Sequence, residues 1–264
     1  RIFVICMKLV IDIARKIKSI IITCMLRIKY RLQINQSKII CFDENIFKDK
    51  RIIIIGPAET SMTYLSGEEI DKFDLVVRVN KSPLTLKGKE KQLGSRTDVL
   101  YHCFSEDPVD GGGKLDFDIL HKQQNKYIIY SYSVPMLERV FLKTVLKYKE
   151  RIFYRVKSEF FSEIKKDYPA KWPTTGLQAV VHLMSTNFKE LHITGFTFFR
   201  TNYLLNYTNN EINNSEESRK KQIEKFGSHS YDGELNLFIK YYNLNKFKNI
   251  YLDNKIIEII NNKN

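Results

Sequence analysis

A histidine in a polar loop is the side chain of this sequence best suited to proton transfer. His229 lies in the segment HSYDGE, and Glu234 follows it five residues later. An unperturbed histidine titrates at a pKa of about 6.5, so it can accept a proton near neutral pH, as general base catalysis requires. The carboxylate either orients the imidazole or caps the helix predicted to follow. The pair predicts a site that deprotonates a hydroxyl group.

Two small or polar residues end predicted strands in the first half of the chain. Gly56 follows the apolar run 52–55, and Asn80 follows the apolar run 75–79. A glycine allows the backbone to approach a phosphate or ribose closely. An asparagine both donates and accepts hydrogen bonds, which suits a base edge or a ribose hydroxyl. Taken singly, each residue is more typical of an ordinary turn.

A third segment, Pro173-Thr174-Thr175-Gly176, precedes an apolar stretch predicted to be helical to about residue 186. Pro173 is predicted to occupy the first turn of this helix. Hydroxyl groups and free N–H groups at a helix start can bind an anion, although a simple N-cap has the same sequence signature.

Short apolar runs alternate with stretches of helical periodicity along most of the chain. This alternation predicts an α/β fold with a doubly wound, mainly parallel sheet. Ligands of such sheets bind beyond the carboxyl ends of the strands, where the three segments above present their polar residues. Strands are predicted at 52–55, 75–79, 98–102, 127–131, 151–156, 191–195 and 249–252, and helices at 136–149, 173–186, 232–243 and 254–261.

In order and type, these segments resemble the sialyltransferases. The stretch EEIDKFDLVVRVN is similar to the long motif of the animal-type family, PTTG to its short P-[ST]-T-G motif, and His229 with Glu234 to its final His-x4-Glu. The resemblance implies a Rossmann-like sheet of the sialyltransferase-type variant of the GT-A fold. It also implies an inverting glycosyltransferase that moves a sialic acid or related keto-sugar acid from a CMP-activated donor to an acceptor sugar hydroxyl. No metal or other cofactor is implied.

The resemblance also implies roles for individual residues. His229 is the catalytic base, with Glu234 beside it. The family's Gly-Asn after the first strand is replaced here by Gly56-Pro57-Ala58, so that donor contact has to come from the backbone or from another residue. The residues expected to bind the donor are Gly56, Ala58, Asn80, Thr174, Thr175, Gly176 and Gly195.

Two elements of the family pattern are less clear in this sequence. The family has a His or Tyr cluster upstream of its last histidine, and the nearest counterparts here are Tyr203 and Tyr207. His102 is the alternative to His229 as the base. The cysteine pair that links the long and short motifs in animal relatives is absent from both motifs. The chain therefore resembles a bacterial or viral type of enzyme that works in a reducing compartment.

Asp116 and Asp118 support a competing hypothesis. A D-x-D pair at a strand end binds Mg²⁺ or Mn²⁺ in transferases that use nucleoside diphosphate sugars. The alternative function is therefore a metal-dependent NDP-sugar glycosyltransferase. Because the pair follows three glycines, a solvated loop is the favoured interpretation. A second alternative is a non-catalytic membrane-surface binding protein on the same fold.

Basic residues are concentrated at the start of the chain. Residues 1–40 carry +8 of the net charge of +13, which leaves +5 for the remainder. The longest uncharged run in this part is about half of the ~20 apolar residues that a membrane span needs. We predict a basic amphipathic arm over 1–40, of which 1–33 contact a membrane surface, and a catalytic domain over 41–264 that begins with a polar link.

The expected partners follow from this charge distribution and from the resemblance. They are a CMP-sugar donor, an oligosaccharide or glycolipid acceptor and a membrane surface. Nucleic acid is not expected, because the main domain is only mildly basic. The four cysteines form no CxxC pair, so we expect a cytoplasmic, membrane-associated protein, with a eukaryotic Golgi location as the less favoured alternative.

Overall fold

A single eight-stranded sheet organises the protein. The computed structural model describes residues 2–33, 38–107, 112–225 and 227–263. The strands are β1 Ile39–Cys41, β2 Arg51–Ile55, β3 Leu75–Val79, β4 Val99–Tyr101, β5 Tyr127–Tyr130, β6 Phe153–Arg155, β7 Glu190–Thr194 and β8 Ile250–Leu252. They pair in the order β1-β6-β5-β4-β3-β2-β7-β8, and every pairing is parallel. The predicted α/β fold with a parallel sheet is confirmed.

Helices connect the strands and cover both faces of the sheet. They are α1 Ile2–Gln33, α2 Gly67–Asp71, α3 Glu90–Leu93, α4 Phe117–Lys122, α5 Pro135–Lys147, α6 Ser158–Lys166, α7 Thr175–Met184, α8 Asn210–Asn213, α9 Glu216–Glu224, α10 Tyr231–Leu244 and α11 Asn254–Asn261. Short 3-10 helices occupy Glu44–Phe47, Glu59–Thr63 and Ser82–Thr85.

The centre of the sheet is apolar on both faces. Ile52–Ile55 of β2 are at most 1% exposed, and Val76 and Val77 of β3 are fully buried. A strand that is covered by helices on both sides has no polar face, so its sequence is a continuous apolar run. Helix α7 is buried almost throughout and packs on this centre together with α10.

The order in which strands are added to the sheet reverses next to β2. From β2 the chain adds β3, β4, β5 and β6 on one side, and then returns to add β7 on the other side of β2. The loops that follow β2 and β7 therefore leave in different directions. In open parallel sheets, this switch point opens the crevice in which ligands bind.

Two local predictions are wrong. Thr174 is the N-cap of α7, so Pro173 precedes the helix and is not in its first turn. The predicted polar link is part of the folded domain, because β1 pairs with β6 and Phe47 is fully buried. Strand β1 has three residues, two of them exposed, and so short a segment shows no strand pattern in the sequence.

The N-terminal helix α1 lies against α5. The Thr23 hydroxyl donates to the Pro135 carbonyl over 3.3 Å, and Arg27 lies 3.6 Å from the Glu138 carboxylate. Apolar side chains of α1 remain exposed along its length, including Leu9, Ile13 and Ile20. Among the residues described, no helix combines the length and the apolar character needed to cross a membrane.

Candidate active site

A cavity of about 520 Å³ opens at the switch point of the sheet. Most of the residues selected from the sequence line it, although they come from distant parts of the chain. These are Ala58, Asn80, Thr174, Thr175, Gly176, Gly195, Tyr203, Tyr207, His229 and Glu234. Gly56 and His102 do not line the cavity.

The loops after β2 and β7 pass in direct contact at Gly56 and Gly195. A Cβ atom on Gly56 would lie 2.3 Å from the Gly195 carbonyl oxygen, and Gly195 has a φ of +73°. Glycine is required at both positions for this approach. The Ala58 N–H donates to Gly195 O over 3.1 Å. That N–H is therefore already used within the protein and is not available to a ligand.

Asn80 is held by its backbone and by its amide oxygen. Its backbone has a φ of +50°, a conformation that asparagine tolerates better than most residues. Its Oδ1 accepts a hydrogen bond from the Cys103 N–H over 3.1 Å. The oxygen is thereby held by Cys103, and the Asn80 side chain also interacts with the Tyr207 hydroxyl.

The start of α7 presents hydrogen-bond donors to the cavity. The Thr174 hydroxyl accepts from the Leu177 N–H over 3.2 Å, which caps the helix. The Thr175 hydroxyl bonds to the Tyr132 hydroxyl over 2.9 Å. The backbone N–H groups of Thr175 and Gly176 have no acceptor among the described residues. Together with the helix dipole, they form a site for negative charge.

Glu234 is buried and binds the N-cap of α7. Its Oε1 accepts from the Thr174 N–H over 2.9 Å and from the Tyr168 hydroxyl over 2.6 Å. Its Oε2 accepts from the Thr174 hydroxyl over 2.6 Å. Burial raises the pKa of Glu234 to about 7 despite these hydrogen bonds. The expectation that Glu234 orients His229 or caps α10 is wrong, because its carboxylate binds Thr174 and because the N-cap of α10 is Ser230.

His229 has the geometry of a neutral base. Its Nδ1 lies 2.9 Å from the Trp172 carbonyl oxygen, and a carbonyl can only accept, so Nδ1 carries the proton. Nε2 then keeps its lone pair, and it has no partner among the described residues. Burial lowers the pKa of His229 to about 4, so the ring is neutral at pH 7.

His102 is a structural residue. Its Nδ1 accepts from the Phe104 N–H over 2.9 Å, and its Nε2 lies 3.1 Å from the Gly112 carbonyl oxygen. Both ring nitrogens are therefore occupied by backbone groups. Burial lowers the pKa of His102 to about 4. The alternative base predicted from the sequence thus has no free nitrogen.

Tyr203 and Tyr207 form one side of the cavity. Their rings stack with centroids 5.2 Å apart, and Tyr203 forms a β-bridge with Ala58. The Lys81 ammonium lies 5.2 Å from the centre of the Tyr207 ring. Burial raises the pKa of both phenols well above the usual range, so they remain protonated and can donate hydrogen bonds.

The cavity is positively charged. Three cationic residues line it, whereas Glu234 is the one carboxylate among the described residues that do so. Because the pKa of Glu234 is about 7, its negative charge is partial at neutral pH. The cations are Lys81, Arg139 and Arg219. Such a cavity suits an anionic ligand.

Sequence reasoning missed several residues that complete the site. Tyr132 holds Thr175, and Trp172 fixes the tautomer of His229. Asp253 accepts from the Thr194 hydroxyl over 2.9 Å and from the Gly195 N–H over 2.8 Å. None of these residues belongs to a recognisable motif. Trp172 alone had a local signal, since it directly precedes the PTTG segment.

The Asp116–Asp118 pair lies outside the cavity. Asp116 is the N-cap of α4 and accepts from the Ile119 N–H over 3.1 Å, while Asp118 is exposed in the first turn. The predicted solvated loop is therefore a helix start. Within the described residues, no group of three or more His, Cys, Asp or Glu side chains could hold a metal ion.

Comparisons with solved structures identify the fold. No family model matches the sequence, and a search of curated proteins found no match. The monofunctional α-2,3-sialyltransferase Cst-I from Campylobacter jejuni superimposes with a TM-score of 0.52 at 16% identity, over 85% of this chain and 81% of that one. An α-2,3-sialyltransferase from the same organism in apo form gives 0.50 at 16% identity, over 84% and 82%. A mammalian sialyltransferase gives 0.48 at 18% identity, over 80% and 71%. The two superpositions with TM-scores of 0.50 and 0.52 show that the chain has a sialyltransferase-like fold.

Proposed function

We propose that this protein is an inverting glycosyltransferase that transfers a sialic acid or related keto-sugar acid from a CMP-activated donor. The observation that carries the proposal is the position of His229. Its neutral ring lines the same positive cavity as the two free N–H groups at the start of α7. A base for the acceptor hydroxyl and a site for the departing phosphate are thus present in one cavity.

The reaction follows from these groups. Nε2 of His229 takes the proton of the acceptor hydroxyl, and the oxygen attacks the anomeric carbon of the donor sugar from the face opposite the leaving group. The bond from that carbon to the CMP phosphate oxygen breaks. The N–H groups of Thr175 and Gly176 stabilise the negative charge that develops on the phosphate. The phenols of Tyr203 and Tyr207 supply further donors.

The nucleotide is recognised near the end of β3 in this proposal. Asn80 lines the cavity, and because its oxygen is held by Cys103, its NH₂ group is the donor assigned to the nucleotide. Glu234 acts indirectly, since it fixes Thr174 and hence the start of α7. Gly56 contributes by allowing the loops after β2 and β7 to approach each other.

The arm suggests where the protein works. Helix α1 exposes apolar side chains that include Leu9, Ile13 and Ile20, and it carries Lys16 and Lys18 among them. A helix of this composition binds at the surface of an anionic bilayer. We propose peripheral membrane contact through residues 1–33, with a glycolipid or an oligosaccharide as the acceptor. The arm packs on α5, whose residues Met136, Leu137 and Val140 also line the cavity.

Nucleotide selectivity tests the proposal. Isothermal titration calorimetry of the full chain with CMP, UDP and GDP, each in the presence of EDTA, measures the affinity for each nucleotide. The proposed function predicts that CMP binds without metal and more tightly than UDP or GDP. If CMP does not bind, and if UDP binds only when Mg²⁺ or Mn²⁺ replaces the EDTA, the proposal is contradicted and an NDP-sugar transferase is favoured.

A further inference from the structure

Arg219 of α9 is a buried cation in the wall of the cavity. It is 4% exposed, and it donates hydrogen bonds to four oxygen atoms. Three are backbone carbonyls and one is a side-chain amide oxygen, so all four are uncharged. The acceptors are Phe199 O at 2.8 Å, Arg200 O at 3.3 Å, Asn213 O at 3.0 Å and Asn202 Oδ1 at 2.8 Å.

The charge of Arg219 is not neutralised by a carboxylate. None of the described residues places one within ion-pair distance of its guanidinium, although many carboxylates pair elsewhere in the protein. Removing an unpaired charge from water is costly, and neutral acceptors offset only part of that cost. Since this side chain also lines the cavity, an anionic ligand can supply the missing negative charge.

Arg219 also fixes the segment that carries the two cavity tyrosines. It binds the segment at its start, at Phe199 and Asn202, and at its end, at Asn213. Phe198 and Phe199 have φ values of +52° and +67°, which are unfavourable for bulky residues. The hydrogen bonds from one guanidinium therefore hold a strained loop in shape.

Arg219 lies near the end of β2. Its charge acts on the phenol of Tyr203, which forms a β-bridge with Ala58 in the loop after β2. This loop contacts the loop after β7 at the switch point of the sheet, and Phe196 of that second loop touches Gly176 in the proposed phosphate site. The positive charge and the phosphate are thus expected in the same part of the cavity.

We propose that Arg219 is a positioning and specificity residue that recognises the phosphate of the nucleotide and so favours charged nucleotides over neutral nucleosides. The inference rests on the proposed function, because it takes CMP as the nucleotide. A buried charge that attracts an anion is worth at least about tenfold in affinity. The loss of this charge should reduce CMP binding and leave cytidine binding unchanged.

Asn202→Asp is the sharpest test. The new carboxylate keeps the hydrogen bond to Arg219 and neutralises its charge, while the loop contacts are retained. Titration calorimetry with CMP and with cytidine gives the ratio of their two dissociation constants. We expect the CMP dissociation constant to rise at least about tenfold relative to that of cytidine, and the cytidine dissociation constant to change by less than about twofold.

Two further variants separate charge from structure. Arg219→Met should lose the selectivity for CMP, and Arg219→Lys should retain part of it, because lysine keeps the charge but not the planar set of donors. Arg200→Met is the matched control. It removes a neighbouring cation that pairs with Asp232 at 3.4 Å and does not line the cavity, so it should leave the ratio unchanged.

The outcomes are distinguishable. If Asn202→Asp and Arg219→Met both keep the wild-type ratio, or weaken CMP and cytidine equally, the inference is overturned while the proposed function stands. If the wild-type protein does not bind CMP, the proposed function itself fails. Should Arg219→Met not fold, Asn202→Asp alone decides, because it removes no contact.

Discussion

The carboxylate of Glu234 accepts a hydrogen bond from the Thr174 hydroxyl over 2.6 Å and another from the Thr174 N–H over 2.9 Å. The two residues are 60 positions apart in the chain. Their contact joins the first turn of α10 to the N-cap of α7. The segment that contains His229 and Glu234 is therefore hydrogen-bonded to the PTTG segment. This contact fixes His229 relative to the start of α7.

Glu234 should make folding stability depend on pH in an unusual direction. Burial raises its pKa from 4.5 to about 7, so between these values the folded protein binds more protons at this group than the unfolded chain does. The free energy of unfolding should therefore fall as the pH rises from 4.5 to 7. Over about 2.5 pH units, the contribution is about 3 kcal/mol.

The variant Glu234→Gln isolates this effect. Urea unfolding at several pH values between 4.5 and 7.5 should show wild type losing stability relative to the variant as the pH rises. The opposite contribution of His229, whose pKa is lowered, is present in both proteins and cancels. Glu217→Gln is the control, since Glu217 is exposed and its pKa is lowered, so it titrates below this range. A constant difference between wild type and Glu234→Gln would refute the assigned pKa.

Asn80→Asp should weaken nucleotide binding and leave the fold intact. Aspartate keeps the oxygen that accepts from the Cys103 N–H and tolerates the positive φ, but it replaces the NH₂ donor with a negative charge. We expect the CMP dissociation constant to rise at least about tenfold, because a hydrogen bond worth ~0.5–1.5 kcal/mol is lost and a negative charge is placed in the site of an anionic nucleotide.

The control for Asn80 is Asn125→Asp. The Asn125 amide donates to the Thr97 carbonyl over 3.0 Å and lies outside the cavity. This variant should lower the melting temperature without changing the CMP affinity of the folded protein. Equal CMP affinity in Asn80→Asp and wild type, at the same melting temperature, would remove Asn80 from the site.

The arm should bind anionic membranes through its exposed face. Ile13→Glu with Ile20→Glu places two charges on side chains that are 48% and 52% exposed, so the fold should not change. We expect sedimentation with phosphatidylserine-containing vesicles to be lost. Leu244→Glu with Phe247→Glu is the control, because these side chains are also exposed but lie outside the arm. If both double variants sediment as wild type does, the arm is not a membrane anchor.

The sequence predicted the central sheet because its strands are continuous apolar runs. Ile52–Ile55 and Leu75–Val77 are buried on both faces of the sheet, so these runs are apolar in the sequence itself. Strand β1 was not predicted, because it has three residues and Ile40 is exposed. The start of α7 was misplaced by two residues because proline and threonine are both common at helix starts.

The site was predicted in its parts but not in its connections. Asn80, Thr175 and His229 meet because parallel strands end at one edge of the sheet, which follows from the fold class. The role of Glu234 was wrong, since its partner Thr174 is remote in the chain. Arg219 had no signal at all, because its acceptors are mostly backbone carbonyls, which any sequence provides.

The central claim is that His229 is the base of a CMP-dependent transfer. Its removal in His229→Ala should lower kcat by ~10²–10⁴. The CMP dissociation constant should stay near the wild-type value, because Asn80 and the start of α7 are unchanged. His121→Ala, which removes an exposed histidine outside the cavity, is the control and should keep full activity.

The pH profile of kcat/KM in wild type and His229→Ala is the most direct measurement. CMP release from CMP-sialic acid in the presence of a soluble galactoside follows the reaction. Because burial lowers the pKa of His229 to about 4 and the base acts when deprotonated, the wild-type rate should show a loss near pH 4, and His229→Ala should lack that limb. The same limb and near-normal turnover in His229→Ala would contradict the account.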